Sequence, residues 1–324
     1  MVRLIAIAMC ALVLAVQAQA QAQTQAWPTK PVKLILPFGA GSGLDISARL
    51  FAERLGPKWG QPIIVENRPG GDGLIAIGAF VSAADDHVLL LASSANFAAH
   101  PYQHEKLPYQ RARDLEPIAR VTDTVIAVAV PAASGIGSLR EFVERARAEP
   151  GKLNTSGSAG LAEFALMGFI KSEKLDVARV SYRDAVTPSL DLSEGRLDLL
   201  VGGLVVIRPH AEAGKVKVLA VTGSGRSVLA PGVPSVAEAG FPVLGIETTV
   251  GYFGPRGMPL ALRERIGADI VAAASDATLV ARHAATGQTM RPGGPAELAK
   301  ALDDQDARTA EIAKVLDMKM RVAP

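Results

Sequence analysis

The 324-residue chain has a single cysteine, Cys10, and only 5% of its residues are aromatic. Cys10 lies in a leading segment that reads as removable, so a chain cut after Ala20 has no thiol. Disulfides, cysteine-ligated metals and a cysteine nucleophile are then excluded. Scarce aromatics mean few stacking platforms for bases or sugars. No stretch carries a dense Lys/Arg run and the formal net charge is only +2. That balance excludes a dedicated nucleic-acid binder. A membrane-spanning helix needs roughly 20 apolar residues, and the apolar run from Leu4 to Val16 is too short for that.

That run has another reading. Arg3 supplies a minimal positive charge before it, and an alternating Gln/Ala tract to Ala26 follows, with several Ala-Gln-Ala cleavage sites. Residues 1–26 are therefore expected to be a cleaved secretory signal. A lipidated Cys10 is disfavoured because Met9 is large where such a site wants a small residue. Export places the mature protein in the periplasm, where nicotinamide cofactors are not normally used.

After Trp27 the chain alternates short apolar runs with helical stretches. Strands are expected at 32–37, 62–66 and 88–92, with helices at 44–55 and 73–84, the first stopped by Gly56-Pro57. A second group adds strands at 125–130, 152–155, 178–182, 197–201 and 216–221. Ser138 followed by Glu141 is a capping box for a helix running to Ala148. Further expectations are a helix at 161–175, a short helix at 235–239, a strand at 246–253, and helices from about Pro259 to Leu316. Strand–helix alternation predicts an α/β fold with mostly parallel sheets. The strands lack polar alternation, which fits burial on both faces. The expected organisation is periplasmic-binding-protein-like, with a ligand cleft between two domains. One is formed by 27–124 plus 247–324 and the other by 125–246.

Four constellations can line that cleft. The first is Phe38-Gly39-Ala40-Gly41-Ser42-Gly43-Leu44-Asp45, joining the first strand to the first helix. Glycines let backbone approach a ligand, and a helix start offers unpaired N–H groups to an anion. Asp45 is either a stabiliser of the helix start or a ligand contact. The loop is not a dinucleotide fingerprint, because Leu44 stands where G-x-G-x-x-G needs its third glycine. The second constellation is Ser93-Ser94-Ala95-Asn96, at the carboxyl end of the third strand, where open sheets bind ligands. The third is Ser156-Gly157-Ser158-Ala159-Gly160, repeating the first design in the second domain. It misses the G-x-S-x-G elbow, since Ser156 replaces the first glycine. The fourth pairs Tyr182-Arg183-Asp184 with the turn containing Gly203 and Leu204. Arg183 can hold a carboxylate bidentately or pair with Asp184. His100 and His104 read as exposed loop residues, because Pro101 opposes a regular helix there. No metal, cofactor or catalytic residue is expected.

Several segments, kept in order, resemble the tripartite tricarboxylate transporter receptors, the TctC or Bug family. They are WPTKPV at 27–32, the 37–45 loop, GQPIIVENRPGG at 60–71, KLPY at 106–109, PGKLN at 150–154, LAVT at 219–222 and VPSVAEAG at 233–240. The resemblance implies two α/β domains closing on a small carboxylate, without catalysis. It implies that the loops 38–45 and 156–160 hold the carboxylate, with the 93–96 and 202–204 turns completing the pocket. The implied partners are a large and a small membrane subunit of a transporter, or in some members a sensor kinase. The receptor itself is expected to be a monomer that captures a dicarboxylate. The competing class is an exported hydrolase acting on a carboxylated substrate, which requires a histidine within hydrogen-bond reach of Ser158. The chain departs from the family at Glu163, Arg183 and Asp184, which bears on the far end of the ligand.

Overall fold

A computed structural model describes residues 27–321 apart from 159, 183 and 185. The expected signal segment, and the expectations for Ala159 and Arg183, lie outside the described residues.

Two sheets form. The first has six strands in the order β11-β4-β10-β3-β1-β2. These are β1 (Val32–Leu36), β2 (Ile63–Asn67), β3 (Val88–Ser93), β4 (Leu115–Thr124), β10 (Thr248–Pro255) and β11 (Gln288–Gly293). β1 runs parallel to β2 and β3, with Leu34 level with Val65 and Leu89. β10 is antiparallel to both β3 and β4. Every residue of β3 is buried, as a strand covered on both faces requires. The second sheet has the order β7-β6-β8-β5-β9. Its strands are β5 (Ile126–Pro131), β6 (Asn154–Gly157), β7 (Ala178–Arg179), β8 (Leu199–Gly203) and β9 (Val216–Val221). β6 is parallel to β7 and β8, and β5 is antiparallel to β8 and β9.

The helix caps follow local chemistry. Ser42 accepts from the Asp45 amide to start the helix Gly43–Trp59, and Ser138 accepts from Glu141 to start Leu139–Ala148. The first of these runs through Pro57, past its expected stop. Proline costs one ladder bond there, close to the end, and Gly60 in the left-handed region makes the real stop. The short helix expected at 235–239 is a single turn, closed where Ser235 and Glu238 each bond the other's backbone amide.

β4 and β11 are strands the sequence pattern hid. β4 carries Glu116, Pro117, Arg120 and Asp123. Its charges are neutralised locally: Arg120 pairs with Asp123 at 2.7 Å and Glu116 with Arg263 at 3.3 Å. β11 carries Arg291 and Pro292 and lies at the sheet edge, where proline is tolerated.

The chain crosses between sheets twice, from Thr124 to Ile126 and from Val221 to Thr248. Thr248 donates to the Thr124 carbonyl at 2.7 Å, and Thr249 to Asp123 at 2.9 Å, so the strands on the first sheet's side of each crossing are tied together. The last helix, Pro295–Val315, serves both sheets. Its Leu298 and Leu302 enter the core of the first, while Ile312 and Ala313 join Phe164, Phe169 and Phe241 in the core of the second. Ala98 and Tyr102, which follow β3, also reach the second core, with the Tyr102 ring 5.9 Å from that of Phe164.

Candidate functional site

Beyond β1 the chain turns through Gly41, whose φ of 81° favours glycine. Asp45, in the first turn of the helix that follows, is 3% exposed. One carboxylate oxygen accepts from the Gly41 amide at 2.9 Å and from Arg49 at 3.1 Å; the other accepts from Asn67 at 3.0 Å. Asn67 also donates to the Phe38 carbonyl at 2.9 Å. Burial pushes the Asp45 carboxyl up, but the donors Arg49, Gly41 and Asn67 outweigh it and hold the group below its ordinary value. Of the two roles open to Asp45, the structure therefore supports the stabilising one. Its charge builds the loop. Leu44 is also turned away, with its side chain in the first core. What the loop offers a ligand is backbone: the first amides of a helix, without intrahelical partners and at the positive end of its dipole. The partly exposed Ser42 and Phe38 flank them.

The second-domain loop is built alike. The Gly157 amide donates to Glu163 at 2.9 Å, and the other Glu163 oxygen accepts from Arg179 at 2.9 Å. Glu163 sits in the first turn of the helix Leu161–Ser172. Burial raises its carboxyl above the ordinary value despite those two donors. Gly160, at φ 85°, leads into that helix, which has no side-chain cap. β6 begins two residues later than expected, so Ser156 lies within the strand rather than in the loop. The hydroxyls of Ser156 and Ser158 are buried and have no hydrogen-bond partner among the described residues. Gly202 makes room for the second of these, since a Cβ there would lie 3.0 Å from Ser158 Oγ.

The remaining expected residues divide. The Ser93 hydroxyl accepts from the Ala95 amide at 3.3 Å, and Asn96 bridges the Ser93 amide to the Asp72 carbonyl. Ser94 bonds the Thr249 amide and the Glu247 carbonyl, sealing the β3–β10 seam. Ala95 leans on the second core. Tyr182 donates to Asp191 at 2.6 Å, and burial together with that carboxylate pushes its hydroxyl up to about 12. Asp184 accepts from the Val186 and Thr187 amides at 2.8 and 2.7 Å, starting the helix Thr187–Ser193. Leu204, expected at the pocket, opens the helix Leu204–Glu212 with its side chain 2% exposed, packed with Ala127, Leu200 and Ile207. Gly203 ends β8, and Val205 rather than Leu204 faces the first domain: a Cβ on Gly287 would lie 2.8 Å from Val205 Cβ. Gly43 in turn packs against Thr286 and Gln288, so the 286–288 turn links the two sides.

The loop 70–73, which the sequence reading left out of the site, also reaches across. Asp72 holds a left-handed conformation (φ 54°), unusual outside glycine, and its Oδ1 lies 3.9 Å from where a Cβ on Gly160 would stand. His100, expected to be exposed, is wholly buried beneath it, in the short helix His100–Gln103 that has Pro101 in its first turn. Its Nε2 lies 3.1 Å from the Asp72 carbonyl, which only accepts, so that nitrogen carries the proton. Nδ1 then accepts from the Tyr109 hydroxyl at 2.8 Å. The usable signal was the glycine run around Asp72.

Asp85, Asp86 and His87 bring one potential metal ligand each within 4.8 Å. Asp85 already pairs with Lys30 at 2.7 Å, while His87 donates to Asp86 at 2.5 Å and accepts the Thr29 amide. A cavity of about 150 Å³ lies at the inter-sheet crossings, lined by Asp123, Glu247, Arg226 and Arg291 among others, and shares no residue with the glycine loops.

Comparison with known proteins gives a consistent set of relatives. The sequence model of the tripartite tricarboxylate transporter family receptor matches residues 47–318. A UPF0065 protein of Bordetella bronchiseptica is 31% identical over 296 residues, covering 91% of this chain and 88% of that protein. Rpa4515 of R. palustris, solved with adipate, superposes with a TM-score of 0.77 at 25% identity, covering 90% of this chain and 99% of its own. MatC of Rhodopseudomonas palustris, solved with malate, gives 0.74 at 26% identity, covering 88% and 99%.

Proposed function

The chain belongs to the tripartite tricarboxylate transporter receptor family, and from that premise we propose that it is a periplasmic receptor capturing a small dicarboxylate between two lobes. The lobes are 27–124 with 247–324, and 125–246. The captured acid passes to the large and small membrane subunits of a transporter. Among the described residues no helix is long and apolar enough to cross a membrane.

One observation carries the reading. Each sheet ends a parallel strand in a glycine loop whose shape is held by an acid in the next helix's first turn, Asp45 for one and Glu163 for the other. The acids fix the loops, and the helix starts remain for an anion. Adipate and malate in the related structures are dicarboxylates of the class proposed. Among the described residues no histidine hydrogen-bonds the Ser158 hydroxyl, the arrangement that the hydrolase reading requires.

The test is a thermal-shift screen of the mature protein against succinate, malate, adipate, citrate, glutamate and benzoate. A ligand at about 100 times its Kd adds about 2.7 kcal/mol and raises the melting temperature by several degrees. Gly39 has no atom within 4 Å of an added Cβ, so Gly39→Trp should fold normally and lose the shift. If no acid moves the transition, the proposal fails.

A further inference from the structure

Four acidic side chains lie at the loops described above, and three of them are committed. Asp45 accepts from Gly41, Arg49 and Asn67. Glu163 accepts from Gly157 and Arg179. Asp184 accepts from Val186 and Thr187. Asp72 is the exception. No hydrogen bond reaches its carboxylate from the described residues; His100 Nε2 lies 3.5 Å from it, but its proton goes to the Asp72 carbonyl instead. The side chain is 41% exposed.

Its position is held from behind. His100 and Asn96 both donate to the Asp72 carbonyl, and Tyr109 donates to His100. The left-handed backbone at φ 54° has a cost for any residue but glycine. The result is an anion fixed at the tip of a first-lobe loop, beside Gly160 of the second lobe. Ser158, whose hydroxyl has no partner among the described residues, is two residues from Gly160.

We infer that the Asp72 carboxylate is a subsite for a cationic nitrogen, so that the acid captured here carries an ammonium group as well as carboxylate. This rests on the receptor reading and narrows it to amino dicarboxylates. A ligand carboxylate binds the amides of a helix start, and the ammonium takes the Asp72 carboxylate. A plain dicarboxylate placing its second carboxylate at the helix start beside Gly160 meets a like charge at Asp72 that no cationic group on the ligand offsets.

The experiment uses matched pairs differing only in the amine: succinate with aspartate, and glutarate with glutamate. Affinities are measured by calorimetry on the mature wild type and on Asp72→Asn and Asp72→Gly, both of which tolerate the left-handed backbone. The wild type should bind the better amino acid at least about ten-fold tighter than its des-amino partner, as charge-assisted hydrogen bonds allow. Both variants should reduce that ratio about ten-fold, by weakening the amino acid and leaving the plain acid unchanged or tighter. Acids that bind with a ratio unmoved in both variants, or a wild type that prefers the plain acids, overturn the Asp72 assignment alone. If neither kind of acid binds, the Asp72 assignment falls, while the receptor reading is decided separately by the wider thermal-shift screen.

Discussion

Asp45 and Glu163 show how a charged residue beside a binding loop serves the protein before it serves a ligand. Each reaches back from a helix's first turn to a loop amide, as a bound anion would do from outside. Asp45→Ala leaves the Gly41 amide without an acceptor and takes one acceptor each from Arg49 and Asn67, which keep Asn67 Oδ1 and the Phe38 carbonyl. It should cost about 1–3 kcal/mol, read by urea unfolding. Ser158→Ala removes a buried hydroxyl that bonds none of the described residues, so the unliganded protein should keep its melting temperature or gain slightly, while ligand affinity falls. His283 supplies a pH dependence. It bonds Leu279 O and Ser47 Oγ at 2.7 Å each, and burial pushes its imidazole below the ordinary 6.5, the Leu279 carbonyl pulling the other way. The unfolded chain therefore takes up this proton first as pH falls. Its contribution to stability is complete above about 6.5 and is lost on acidification until the folded value is passed. Melting curves between pH 7.5 and about 5 should show this decline, and His283→Gln should flatten it.

At the scale of elements, close approach decides more than propensity does. Gly168 lies inside the helix Leu161–Ser172, and a Cβ there would come within 2.8 Å of Ile312 on the last helix. Glycine is intrinsically poor in a helix, yet here it sets how deeply the two helices pack. Gly168→Leu should lose about 1–3 kcal/mol through overpacking, visible as a lower urea midpoint. Elements with a plain pattern are legible in the sequence: β1 as an apolar run broken only by Lys33, β3 as a continuous one up to Ser93, and Leu139–Ala148 as a capped helix. β4 is not, because paired charges and a proline interrupt its apolar residues. Nor is the place of Ser156, since two residues of register move a side chain from loop to strand. Leu44 and Leu204 suggest pocket residues because they adjoin glycines. Helix phase sends both side chains into cores.

At the scale of the whole molecule, the two sheets are joined by two crossings, by the segment around Tyr102, and by a last helix embedded in both cores. Val205, 38% exposed, meets Gly287 from the other side. Val205→Trp should prop the sides apart, raising the radius of gyration in X-ray scattering and weakening acid binding while the circular dichroism stays unchanged. Composition, the strand–helix alternation and the ordered motifs determined by themselves the α/β class and the two glycine loops, because burial on both faces and tight turns each demand particular residues locally. Which acids are committed, where His100 hides, and that no described residue hydrogen-bonds the Asp72 carboxylate were decided only by the tertiary structure. Those facts depend on partners far apart in the chain, such as Asn67 for Asp45, Arg179 for Glu163 and Gly160 beside Asp72, and no local pattern encodes who meets whom.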